Sequence, residues 1–132
     1  MALWQTARID IRADRWTVFD DGMVIVGVDL TGASYKMQVR DRKDGGFVRA
    51  DLATVTSGSA EGVRLIDVVT TDSVPTSRLG IRINETTMEA MSAATEAGND
   101  GLVWWDIHIT PSGGSKFVAA AGRFTIMAGS TQ

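Results

Sequence analysis

The 132 residues include no cysteine, which excludes disulfides, thiolate nucleophiles, iron–sulfur ligation and cysteine-based zinc sites together. His108 is the one histidine, so no histidine pair can hold a metal within the chain, and any Ser-His-Asp triad must pass through that position. No stretch approaches the roughly 18 consecutive apolar residues of a membrane span. Residues 1–20 lack the basic start, apolar run and small-residue cleavage site of a secretory signal, so the expectation is a chain made and used in soluble form in the cytoplasm. An excess of one charge is missing too. Thirteen Lys and Arg against 16 Asp and Glu leave a net charge of -3, with no general attraction to phosphate backbones or anionic lipid. Nucleic acid and membrane are therefore not expected partners. What is present, 44% apolar and 22% charged residues, suits one compact domain spanning 1–132, with 1–7 as an N-terminal extension and 128–132 as a C-terminal tail.

Hydrophobic periodicity points to β structure. Over 102–110, Val103, Trp105, Ile107 and Ile109 alternate with Trp104, Asp106, His108 and Thr110, as a strand with one buried face requires. The same period runs through 33–40, with Ala33, Tyr35, Met37 and Val39 on one side, and through 78–84, with Leu79, Ile81 and Ile83. A shorter version covers 8–12. Further strands are expected over 17–19, 23–28, 47–52, 62–66, 115–119 and 123–127, some of them continuously apolar. Asp20-Asp21-Gly22, Asp44-Gly45-Gly46, Asn99-Asp100-Gly101 and Pro111-Ser112-Gly113-Gly114 supply turn chemistry between them, while 53–60 and 69–77 read as polar loops. The segment 84–94 breaks the rhythm. Asn84 as an N-cap, Glu85 in the first turn and Met88 and Met91 at helical spacing predict a short connecting helix. Short strands joined by turns, without crossover helices, give an all-β, mostly antiparallel sandwich rather than a parallel α/β sheet.

Chemistry finds little to work with. Asp106 and His108 share the outward face of one strand at a separation of roughly 6.5–7 Å, which could orient an imidazole but is an ordinary arrangement on any polar face. No serine sits in a Gly-x-Ser-x-Gly elbow. The run Asp41-Arg42-Lys43-Asp44-Gly45-Gly46 lacks the alternating oxygen ligands and terminal Glu of a calcium loop, and a hairpin turn accounts for it better. No catalytic residue, metal site or cofactor is expected.

Most aromatics should be core, Tyr35, Trp105 and Phe124 among them. Trp104 points the other way and is either an interface anchor or covered by a loop or by the N-terminal segment. Trp4, in the apolar extension ahead of the first strand, is a candidate for packing on a neighbour, and His108 on the face of Trp104 completes the candidate protein-interface set. Arg12, Arg40, Arg42, Arg49, Arg78 and Arg82 fall on outward registers, where ordinary solvation competes with intersubunit ion pairs.

The run from Asp29 to Arg40, Asp-Leu-Thr-Gly-Ala-Ser-Tyr-Lys-Met-Gln-Val-Arg, resembles a signature of small tailed-phage and prophage structural proteins with an immunoglobulin-like β-sandwich. Gly101 to Thr110 is similar to that family's Gly-x-Tyr-x-Tyr-Asp-hydrophobic strand, and Ala121 to Ile126 to its closing Gly-x-Phe-x-hydrophobic strand. The likeness runs from Ile9 to Met127, is indistinct over 53–77, and departs from the family where Trp104 and Trp105 stand at positions usually held by Tyr.

What the resemblance implies is a non-enzymatic virion component without cofactors, made in the host bacterial cytoplasm. It would bind other virion proteins, and copies of itself, in the tail, baseplate or fibre-attachment region. Capsid decoration is the neighbouring expectation. A glycan- or host-receptor-binding module stacking sugars on Trp104 is the alternative from another class.

Overall fold

The computed structural model describes residues 6–42, 46–92 and 101–127. Among them the elements run β1 (Ala7–Arg8), β2 (Ile11–Asp14), β3 (Phe19–Val26), β4 (Ser34–Arg40), β5 (Val48–Ala53), β6 (Gly62–Thr71), β7 (Val74–Ile83), α1 (Glu85–Ser92), β8 (Gly101–Thr110) and β9 (Phe117–Met127). They form two sheets. The larger has the order β1-β9-β8-β4-β5, with β2 also on β9, and the smaller is β3-β7-β6. The all-β class, and one short helix among the described residues, are as the periodicity indicated.

Alternation does what it should in the central strands. Tyr35, Met37 and Val39 of β4, Leu79, Ile81 and Ile83 of β7, and Val103, Trp105, Ile107 and Ile109 of β8 are all buried. The inward faces of both sheets contribute to one core, where the rings of Phe19 and Phe124 meet at 5.5 Å between centroids. Met88 and Met91, on one face of α1, are completely buried in that core, and the helix packs beside β5. Its start is anchored from outside: the Asn84 N–H donates to Glu61 Oε2 at 2.7 Å, and the Asn84 carbonyl accepts from the Met88 N–H at 2.9 Å. The end of the expected helix, Ala93 and Ala94, lies outside the described residues, as do the expected turns at 44–45 and 99–100, residues 1–5 of the extension and the tail 128–132.

Several expectations are corrected. Asp20-Asp21-Gly22 is not a turn but the first half of β3, paired with Arg82, Ile81 and Gly80. Charged and glycine residues are tolerated there because, among the described residues, β3 has a neighbour on one side only. Residues 69–77 are not a polar loop. They form the ends of two ten-residue strands closed by the pair Asp72-Ser73, whose φ values of 51° and 65° make a primed two-residue hairpin turn. The strands expected over 115–119 and 123–127 are one strand, β9, with a register shift opposite Ile107 and His108.

The N-terminal pairing also differs from an antiparallel sandwich, since β1 and β2 both run parallel to β9. The expected strand over 8–12 is interrupted at Ile9 and Asp10. There the Asp10 carboxylate accepts the Arg123 N–H at 3.0 Å, a donor that would otherwise serve the ladder. Gly122 permits the approach, because a Cβ at that position would collide with the Ile9 carbonyl oxygen. Phe47, the first residue of the strand expected over 47–52, instead precedes β5 and is 77% exposed, with the Arg49 guanidinium 6.0 Å from its ring.

Candidate interaction surfaces

The outer face of the large sheet carries the residues singled out in the sequence. Pairing registers set them in rows across β4, β8 and β9: Arg40, Trp104 and Arg123 in one, Gln38, Asp106 and Ala121 in the next, then Lys36, His108 and Val118. Trp104 is half-buried, with the Arg123 guanidinium 5.5 Å from its ring centroid, a cation–π distance. On its other flank Arg40 donates to Gln38 Oε1. His108 Nε2 lies 3.3 Å from Asp106 Oδ2, with the two side chains 32% and 39% exposed. The structure thus brings Trp104 and His108 onto one face, two rows apart; Trp4 lies outside the described residues.

Beside Trp104 the face is hollowed. A depression of about 280 Å³ runs from Arg8 on β1 to Arg40 on β4 and on to Arg42, with Gln38, Trp104 and Asp106 among its lining. Arg8 stands 3.7 Å from Asp10 across exposed surface. The result is a concavity with an aromatic floor and a rim dominated by guanidinium groups.

Other outward arginines are engaged within the chain. Arg49 grips Asp41 through two bonds of 2.5 and 2.8 Å, Arg78 grips Asp67 in the same two-pronged way, and Arg82 is 3.7 Å from Asp20. The hydrogen-bonded guanidinium holds the carboxyl of Asp41, and that of Asp67, below the usual carboxylate range. Asp29 is lowered likewise by the hydroxyl and N–H of Thr31 in its turn.

Sequence reasoning missed a second surface, on the small sheet. Val24 and Val26 are 58% and 63% exposed, and Val69, Val74 and Ile66 are also open to solvent. The registers place Val26, Thr76 and Val69 in one row and Val24, Arg78 and Asp67 in the next, all on the outer face. Ile66 reaches this side through the register shift between Leu65 and Asp67 and lies over Gly80. The apolar run Met23 to Val28 was the available signal: with both alternating sets apolar, one of them must face outward in an edge strand.

The backbone of β3 sharpens the picture. Gly27 donates to the Pro75 carbonyl at 2.7 Å, so the odd-numbered residues of β3 turn their hydrogen-bonding groups toward β7. Gly22, Val24 and Val26 consequently turn theirs to the open edge. The Gly22 N–H is taken by its neighbour's carboxylate, Asp21 Oδ1, at 2.8 Å. Val24 and Val26 combine exposed side chains with edge-facing backbone.

Compared with models of known protein families and with curated protein sequences, the chain finds no match.

Proposed function

We propose that this chain is a non-enzymatic structural module of a tailed-phage virion, built as an immunoglobulin-like sandwich and joined to other virion proteins in the tail, baseplate or fibre-attachment region. Connectivity supports the fold part of the reading. The small sheet β3-β7-β6 has the order of immunoglobulin strands B, E and D, and β9-β8-β4-β5 has that of G, F, C and C′. The three stretches that resemble phage structural proteins fall on β4, β8 and β9, which are adjacent in one sheet.

The observation that carries the assembly part is the β3 edge beside Val24 and Val26, which no strand pairs among the described residues. Solitary soluble domains blunt such edges with charge, bulges or a covering segment, whereas assembly modules use them to add a strand from a neighbour. Asp20 and Asp21 guard the first half of β3; the second half is apolar and open. Sugar stacking on Trp104 is less well supported, because the Arg123 guanidinium already overlies that ring.

Sedimentation at micromolar concentration tests self-association. A defined oligomer is expected, converted to monomer by Val24→Lys or Val26→Lys without loss of fold; a monomer at all concentrations removes self-pairing from the reading. Antibody labelling of native particles in the electron microscope tests the location. Label at the tail supports the proposal, label on the head replaces it with capsid decoration, and particles without label overturn the virion role.

A further inference from the structure

We infer that the arginine-rimmed hollow at Trp104 receives an extended acidic segment of a partner protein. This rests on the assembly reading above and names the chemistry of the partner at a different surface from the β3 edge.

Charge is the first argument. Arg8, Arg40 and Arg42 line the depression, against which the described residues set two carboxylates, Asp106 in its lining, 3.3 Å from His108, and Asp10, 3.7 Å from Arg8. Planar guanidinium groups bind carboxylates through paired hydrogen bonds, and Arg40 is already oriented by Gln38. This basic island lies in a chain of net charge -3, so a long polyanion such as nucleic acid meets repulsion beyond the hollow, while a few carboxylates do not.

Size is the second. From β1 across β9 and β8 to β4 is three strand spacings, about 14 Å at 4.7–4.9 Å each, which four or five residues of extended chain cross at about 3.4 Å apiece. A volume of about 280 Å³ lies just below the range of small-molecule pockets, about 300–1,000 Å³, and suits a few side chains laid over the face. Trp104 lines the hollow with its ring held in place by Arg123, so the segment meets a preorganised wall rather than a mobile side chain.

The test is an NMR titration of the full chain with a capped penta-glutamate peptide, read at the Trp104 indole N–H. Saturable shifts are expected, weakened about fivefold by Arg40→Gln or Arg42→Gln, lost in the double variant, and weakened by raised salt. A capped penta-glutamine peptide should produce no shifts. Unchanged binding in the double variant overturns the inference, as does equal binding of penta-glutamine or of a deca-thymidine strand, and so does the absence of any shift with penta-glutamate. Because the titration reads this hollow alone, while sedimentation and particle labelling read assembly, the two can fail separately.

Discussion

The indole N–H of Trp105 donates to the carbonyl oxygen of Ile9 at 2.9 Å, joining the most regular strand of the large sheet to the gap between β1 and β2. Ile9 is held from its other side as well, since its N–H donates to the Ala121 carbonyl at 3.0 Å. A core tryptophan therefore sets where the N-terminal strands lie on β9. Trp105→Phe keeps an aromatic ring but removes the donor, and should cost about 1–3 kcal/mol for the carbonyl left without its partner. Denaturant unfolding measures the loss, and faster hydrogen exchange at the Ile9 amide would place it at β1.

Ser77 is the one polar side chain completely buried among the described residues. Its hydroxyl donates to the Val28 carbonyl at 2.8 Å and accepts the Leu30 N–H at 3.0 Å, bracing the chain where it passes from β3 toward β4. Ser77→Ala should destabilise by about 1–3 kcal/mol, because both backbone groups lose their partner. Equal stability of the variant in a urea titration would contradict the buried geometry.

At the β6–β7 turn, Asp72 and Ser73 both adopt the left-handed conformation, with φ of 51° and 65°. That conformation costs a non-glycine residue about 1–2 kcal/mol, and glycine's extra unfolded-state freedom returns about 0.5–1 kcal/mol of it. Ser73→Gly should therefore stabilise the hairpin by roughly 0.5–1 kcal/mol, read as a rise in melting temperature. Ser73→Val should do the reverse.

Two carboxylates, Asp41 and Asp67, are held below their ordinary range by Arg49 and Arg78. A carboxyl lowered in the folded state binds protons more weakly than in the unfolded chain. Its contribution is complete above the unfolded value, about 3.9, and disappears as pH falls through the lower folded value. Arg49→Gln should raise the Asp41 midpoint toward the ordinary value in a carbon-detected NMR titration and flatten the acid limb of the stability curve. A variant with the wild-type midpoint would show that the guanidinium is not the cause.

How much of this was legible beforehand depends on whether local pattern or distant partner governs each element. Val103, Trp105, Ile107 and Ile109 alternate without interruption, and Tyr35, Met37 and Val39 do the same; a sheet with one buried face leaves them no other orientation, and all are buried. The helix announced itself through Asn84, Glu85 and the spacing of Met88 and Met91. The misreadings share a cause. Asp20-Asp21-Gly22 has the composition of a turn and Asp72-Ser73 lacks the usual Asn-Gly signature, so local chemistry put the turn in the wrong place both times.

Composition and period alone established the β class, the inward faces of the central strands and the lack of cysteine and of a second histidine, because those follow from side-chain type and the two-residue repeat. Folding in three dimensions settled the parallel seat of β1 and β2 on β9, the exposure of Phe47, the open valines of β3, and the meeting of Arg8, Arg40 and Arg42 around Trp104. Each of these depends on which strands become neighbours across long stretches of chain. Pairing of that kind is chosen by the packing of the whole core, and no window of adjacent residues contains it.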